Sequence, residues 1–311
     1  MARFQLQNPI SIAPGGRPAA ACEIAPEGVV AAATPAAGQP PVFAAEPLPA
    51  LAVTPGLDSN LGDPAAVASA IRSALGKVEP RVRAVTVVVP DAAVRVFVLD
   101  FDQLPSRLDE ALPVLRFRLR KSVPFDVEGA GISYQVLSEG SARLETPWKV
   151  LAAVIPGPVL AEYESAVRAA GYEPGVVLPA GLATLAAISA EETHQAVLVV
   201  TLSARSLTTA IVAGNDILLY RTVELPRERA EVQAEVQRAI AVASAFFEDT
   251  LQIRPSRLLY SGVLSVREFA EMVEDAELAI GELAPQPETG LASALGQRPV
   301  AGVTGALAGT N

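Results

Sequence analysis

The stretch Ser106–Leu137, SRLDEALPVLRFRLRKSVPFDVEGAGISYQVL, decides how the chain is read. Leu108, Leu112, Leu115 and Leu119 recur at spacings of three and four, so they share one face of an α-helix. Arg116 and Arg120 stand four apart on another face, with Arg118 and Lys121 beside them. These cations lie towards the C-terminal end, where the helix dipole favours them. Pro113 has no N–H to donate and is tolerated in a first turn, which predicts a helix beginning near Asp109 or Glu110. Pro124 turns the residue before it away from helical backbone and stops the helix. Ile132 to Leu137 then alternates apolar and polar side chains, the period of a strand.

Working outward, composition bounds the answer. Half of the 311 residues are hydrophobic and 19% are charged, so two or three packed units with a large core are expected, not wholesale disorder. Aromatics are only 5%, which leaves Ala, Val and Leu to fill that core. A formal charge of −10 argues against nucleic acid, whose phosphates demand a positive surface. It also weakens any direct electrostatic grip on anionic lipid. The lone cysteine, Cys22, permits no intrachain disulfide and suits a reducing compartment. The opening MARFQLQNPI lacks the apolar core of a signal peptide, and no uninterrupted apolar run is long enough to span a bilayer. The expectation is a cytoplasmic protein, peripheral to the inner membrane only through a partner.

Upstream, Ala19 to Ile24 reads as a strand, and Ala33 to Gly62, rich in Pro, Ala and Gly, as a mobile extended loop with one short strand near Leu51 to Val53. Asp63 and Pro64 form an N-cap and first helical position, with the helix running to about Leu75 before Gly76. Val85 to Val89 is a β-branched run typical of a strand buried on both faces. Pro90-Asp91 interrupts it and Val94 to Leu99 resumes. Downstream come a strand at Trp148 to Ile155, a helix at Pro158 to Ala170 closed by Gly171, a strand at Val176 to Leu178 and a helix at Pro179 to Ile188. Three strands follow at Ala196–Val200, Leu207–Val212 and Ile217–Leu225, with a turn at Gly214-Asn215-Asp216. Val232, Val236, Ile240, Ala243, Phe247 and Leu251 form one face of a long helix, Arg227 to Gln252. The chain closes with a strand at Arg257 to Tyr260, a helix at Val266 to Asp275, a weak strand within Ala276 to Leu283 and a helix at Pro299 to Ala308.

Arg116-Phe117, Val123-Pro124-Phe125 and Ser133-Tyr134-Gln135-Val136-Leu137, with this order of elements and the final Val303, Gly305, Ala306, Leu307 and Ala308, resemble the type IV pilus assembly family PilM. The resemblance runs from about Val85 to the C-terminus. It implies an α/β fold of duplicated actin-like, ribonuclease-H-like half-domains with an inserted small α+β subdomain of the kind seen in FtsA. The implied division is residues 1–90 for the first half-domain, 91–155 for the insert, 156–192 for the rest of the first half and 193–311 for the second. The family sits on the cytoplasmic side of the pilus machine and binds the N-terminal tail of an inner-membrane partner, PilN, in a groove between first half and insert. It thereby links the motor ATPases to the periplasmic alignment complex. By position, Phe101, Arg116, Phe117, Phe125 and Tyr134 become candidates for the partner groove.

Actin-like ATPases hold phosphate on two hairpin loops of the form Asp-x-Gly, whose glycine lets backbone N–H groups cradle the anion while carboxylates direct Mg²⁺ through water. Matched to that pattern, the first loop falls at Ser11 to Gly16, with Ser11 for the aspartate, Ala13 for the glycine, and Gly15 and Gly16 behind Pro14. The second falls at Thr201 to Arg205, with Thr201 for the aspartate and Ser203 for the glycine. The adenosine-side glycine pair becomes Gly262-Val263. Both metal-directing carboxylates are therefore expected to be absent. Gly15, Gly16, Thr201, Ser203 and Gly262 remain as degenerate nucleotide-loop positions, and the ATP and Mg²⁺ that the resemblance implies are expected not to be held. The reading is a non-catalytic scaffold.

Other chemistry is thin. Gly76-Lys77 fails the phosphate-loop pattern, because Ile71 stands at its first glycine and Val78 follows the lysine. His194 is the only histidine and reads as a solvated linker residue, Cys22 as a small core hydrophobe, and Asp100 with Asp102 as a solvated strand end. Rival readings are an active actin-like ATPase, a membrane tether like FtsA, and a GspL-like type II secretion component. The tether needs a basic amphipathic C-terminal helix, whereas Gln297 to Asn311 carries one charged side chain, Arg298. The GspL-like reading needs a membrane span after the actin-like part, and none is read.

Overall fold

A computed structural model describes residues 17–308 apart from 36–38, 140–145, 190–191, 193–194, 215, 256, 274–277 and 285–298. Two five-stranded mixed sheets repeat one topology. In the first, β1 (Ala20–Ala25), β2 (Gly28–Ala33) and β3 (Val42–Pro47) form an antiparallel meander, and β4 (Ala84–Val89) and β8 (Glu173–Pro179) extend it in parallel beside β1. In the second, β9 (Val197–Leu202), β10 (Ser206–Ala213) and β11 (Asp216–Glu224) form the meander, and β12 (Arg257–Gly262) and β13 (Ala279–Glu282) the parallel side. This is a duplicated half-domain.

Between β4 and β8 the chain leaves the first sheet. After a single 3₁₀ turn, Asp91–Ala93, it builds a three-stranded antiparallel sheet in the order β5 (Arg95–Phe101), β7 (Trp148–Ile155), β6 (Gly131–Ser138). Helix α2 (Leu108–Leu119) covers one face through Ala111, Leu115 and Leu119. It begins earlier than the sequence indicates, so Pro113 lies in its interior, where the Asp109 carbonyl loses its N–H partner. Pro113 is exposed, so water can take that carbonyl.

Helices α1 (Pro64–Val78) and α3 (Gly157–Ala169) cover one face of the first sheet. Asp63 caps α1, its Oδ1 accepting from Ala66 N at 2.9 Å, and the helix runs through Gly76 to Val78. Helices α5 (Arg229–Leu251) and α6 (Val266–Met272) cover the second sheet. Helix α4 (Ala180–Leu185) lies between the lobes, Ala183 packing on the first core and Leu182 and Leu185 on the second.

Two expectations change. The Ala33 to Gly62 region holds β3, and its last part is tied down: Glu162 Oε2 on α3 accepts from Asn60 N and Leu61 N, and Tyr163 Oη donates to Asn60 Oδ1. The last helix, α7 (Ala301–Leu307), within the second half assigned to residues 193–311, packs through Val303, Ala306 and Leu307 on the first sheet and through Ala301 on the second half. Gly305 permits this, since a Cβ there would meet the Ala183 carbonyl at 1.8 Å. None of the described helices is long and apolar enough to cross a membrane.

Candidate functional site

The two meanders point their first turns at one another. Pro26-Glu27 joins β1 to β2, Ser203–Arg205 joins β9 to β10, and both turns line a cavity of about 70 Å³ between the lobes. The Pro90-Asp91 corner after β4, the end of β12 at Ser261 and Gly262, Ala180 and Thr184 of α4, and Gly302 of α7 also line it.

At the second turn, each backbone donor is taken. Ser203 N donates to Ser206 O at 2.9 Å, and Arg205 N and Ser206 N donate to Ser203 Oγ at 3.2 and 2.9 Å. Ala204 N donates across the cavity to Glu27 Oε1 at 3.2 Å. A turn that cradles phosphate aims such N–H groups at the anion. Here a serine hydroxyl, a carbonyl and a carboxylate of the chain itself accept them. Gly262 is required for packing: a Cβ there would meet Tyr260 Oη at 2.4 Å and Leu202 O at 2.6 Å.

The first loop is elsewhere than the sequence indicates. Ser11 to Gly16, with Gly15 and Gly16, lies outside the described residues; the turn that reaches the cavity is Pro26-Glu27, and Pro26 has no N–H to offer an anion. The expected absence of acidic side chains is also corrected. Glu23 on β1 and Asp91 both line the cavity. Glu23 stands opposite Val88 of β4 just as Thr201 stands opposite Ser261 of β12, so the two are counterparts in the duplicated sheets. Sequence reasoning missed them because Gly15-Gly16 is the stronger turn signal; the clue was Pro26-Glu27-Gly28 between two apolar runs.

The two acids differ. Asp91 is buried and pushed above the usual aspartate range by that burial, against three hydrogen bonds that oppose the shift. Its Oδ1 accepts from Gly181 N (2.9 Å) and Tyr220 Oη (3.2 Å), and its Oδ2 from Thr208 Oγ1 (2.7 Å). Since Thr208 and Tyr220 belong to β10 and β11, Asp91 ties the lobes together. Glu23 is raised to about 8, by burial first and then by Glu27 and Asp91. Its Oε2 is sealed from solvent without a hydrogen-bond partner among the described residues, and so is Thr201 Oγ1. Among the described residues no three carboxylate, histidine or cysteine side chains group as for a metal ion.

The five partner candidates scatter. Phe101 and Tyr134 are buried in the core beneath α2, Phe125 packs partly buried at its far end, and Phe117 is 72% exposed. The half-buried Arg116 guanidinium holds the Val127 and Glu128 carbonyls. A small cavity of about 20 Å³ lies between first half and insert, on the other side of the three-stranded sheet. Val89, Val94, Ser133, Ala153, Ile155 and Pro179 line it, and none of the five does. His194 lies outside the described residues. Cys22 is buried, its thiol raised to about 12 by burial and then by Glu23.

No protein-family model matches the chain, and no curated protein sequence does. Solved structures do. A chain of the PilM–PilN type IV pilus biogenesis complex superposes with a TM-score of 0.74 at 20% identity, covering 94% of this chain and 98% of that one. The cytoplasmic domain of EpsL, an inner-membrane component of the type II secretion system of Vibrio cholerae, gives 0.50 at 13% identity over 89% and 91%. A Bacteroides thetaiotaomicron protein with an actin-like ATPase fold and unknown function gives 0.50 at 8% identity over 84% and 90%. The chain has the actin-like fold. In an actin-like body the cavity at Glu23 and Thr201 is the interlobe cleft, and the three-stranded sheet with α2 is an insert in the first half.

Proposed function

We propose that the chain is a non-catalytic scaffold of a type IV pilus machine, cytoplasmic and peripheral to the inner membrane, holding the N-terminal tail of a PilN-like membrane partner and coupling it to the motor ATPases. The observation that carries the non-catalytic part is the second turn: with Ser203, Ala204, Arg205 and Ser206 N–H groups all engaged within the chain, no cradle is left for a phosphate. Glu27 places a carboxylate where a polyphosphate would lie. These residues do not fit Mg-ATP. Measurable ATP turnover that Thr201→Val abolishes would restore the active-ATPase reading.

The likeness to a PilM–PilN complex supports the partner, and the cavity between first half and insert supports the place. Ser133 of β6 lines that cavity, and its Oγ is buried with no hydrogen-bond partner among the described residues. An extended peptide supplies donors and acceptors to such an atom. The test is retention of a synthetic peptide from the N-terminus of the inner-membrane protein encoded immediately downstream. Ser133→Ala should weaken retention several-fold while leaving the fold as stable or more so, because an unpaired buried hydroxyl costs about 1–3 kcal/mol. No retention by the wild-type chain would sink the scaffold reading. The GspL-like alternative, supported by the EpsL likeness, predicts retention of a type II secretion tail instead.

A further inference from the structure

Helix α5 turns an apolar strip to the solvent. Its inner face, with Val236, Ile240, Ala243 and Phe247, is buried on the second sheet. On the far side Arg238, Ala241, Val242, Ala245, Phe246 and Asp249 are all exposed, at spacings of three and four that make them one continuous strip. The outer face of a helix in a water-soluble domain is ordinarily polar. That of α1 is, with Ser69, Arg72, Ser73 and Lys77 exposed. The middle of the α5 strip is not: Val242 and Phe246 stand in water with only Ala241 and Ala245 beside them.

The two ends of the strip carry opposite charge. At one, the exposed Arg238 keeps Glu235 close, its Nη1 donating to Glu235 Oε2 at 2.7 Å. At the other, the Asp249 carboxylate is exposed and has no hydrogen bond or ion pair among the described residues. The strip is therefore complementary to its own reverse. Arg238 and Asp249 are equidistant from the midpoint between Ala243 and Ser244, as are Ala241 and Phe246, and Val242 and Ala245. With a second copy of the helix turned end for end about that midpoint, Arg238 of each copy stands level with Asp249 of the other. Phe246 of each lies beside Val242 of the other on one flank of the contact. On the opposite flank alanine meets alanine, which lets the two helix axes approach closely.

We propose that α5 docks on α5 of a second copy of this chain, antiparallel and about a two-fold axis. A two-fold contact uses the same patch on both copies and so demands this self-complementarity; an unrelated partner does not. The pairing goes beyond the scaffold role and does not depend on it. None of the six residues lines the interlobe cleft or the cavity beside the insert, so both stay open in the dimer.

The test is sedimentation velocity of the full chain over a concentration series. Wild type should pass from monomer to dimer as concentration rises. Phe246→Asp, which sets a charge against the apolar centre, should raise the dissociation constant more than about tenfold. Asp249→Arg should raise it a few-fold by bringing like charges level, and adding Arg238→Asp should return most of that loss, because the reversed pair attracts again. Circular dichroism checks that each variant is folded. Hydroxyl-radical footprinting of the wild type needs no variant: oxidation of Phe246 should fall as the dimer forms, while that of Phe117, exposed on α2, should not. A chain monomeric up to its solubility limit would overturn the proposal. So would a dimer that Phe246→Asp leaves intact, a charge-reversed double variant no tighter than Asp249→Arg, or oxidation of Phe246 that is independent of concentration.

Discussion

At Glu23, a carboxyl raised to about 8 in the folded chain meets an ordinary value near 4.5 once unfolded. Between those values the folded state keeps a proton that the unfolded state has lost. Its stabilising contribution is therefore full below the unfolded value and is lost as pH rises towards the folded one, at about 1.4 kcal/mol per pH unit. The unfolding free energy of Glu23→Gln, followed by urea denaturation from about pH 5 to 8, should show a distinctly shallower fall than wild type. Gly181 is the second test at this scale. A Cβ there would meet Tyr220 Oη at 2.3 Å and Asp91 Oδ2 at 2.7 Å, breaking the tie between lobes. Gly181→Ala should cost on the order of 2–4 kcal/mol in the same denaturation measurement. Neither role was legible in the sequence: an acid in an apolar strand and a glycine opening a helix acquire meaning only when the other lobe arrives.

Among the elements, α2 contains its own flaw. Pro113 withholds a donor from the Asp109 carbonyl in the helix interior, at an exposed position with no packing in return. Pro113→Ala should raise stability by on the order of 1–3 kcal/mol, read as a higher melting temperature. Asp63→Ala should lower it by about 1 kcal/mol through loss of the α1 cap. The cap was readable because Asp63-Pro64 is a local signal, as was β7, a run of Val, Leu and Ile that needs no context. The β2 strand GVVAAA and the β3 strand VFAAEP were not. Alanine has little intrinsic strand preference, so these strands form because β1 on one side and α1 on the other bury them.

For the whole molecule, α7 is the piece that returns. It covers Ala21, Val30, Ala32 and Val88 of the first sheet although residues of the second half precede it directly in sequence. Ending the chain before Pro299 should uncover that apolar face, seen as strong binding of a hydrophobic dye and faster proteolysis of the first lobe. The sequence by itself determined the cap of α1, the apolar faces of α2 and α5 and the strand-turn-strand at Val85 to Leu99, because each rests on periodicity, capping or a proline acting within a few residues. Tertiary structure alone decided which turns meet across the cleft, that Glu23 and Asp91 line it, that Glu27 takes the Ala204 donor, and where the final helix docks. Those contacts join residues far apart in the chain, and the energy of burying or pairing a charge depends on what surrounds it, which no local pattern records.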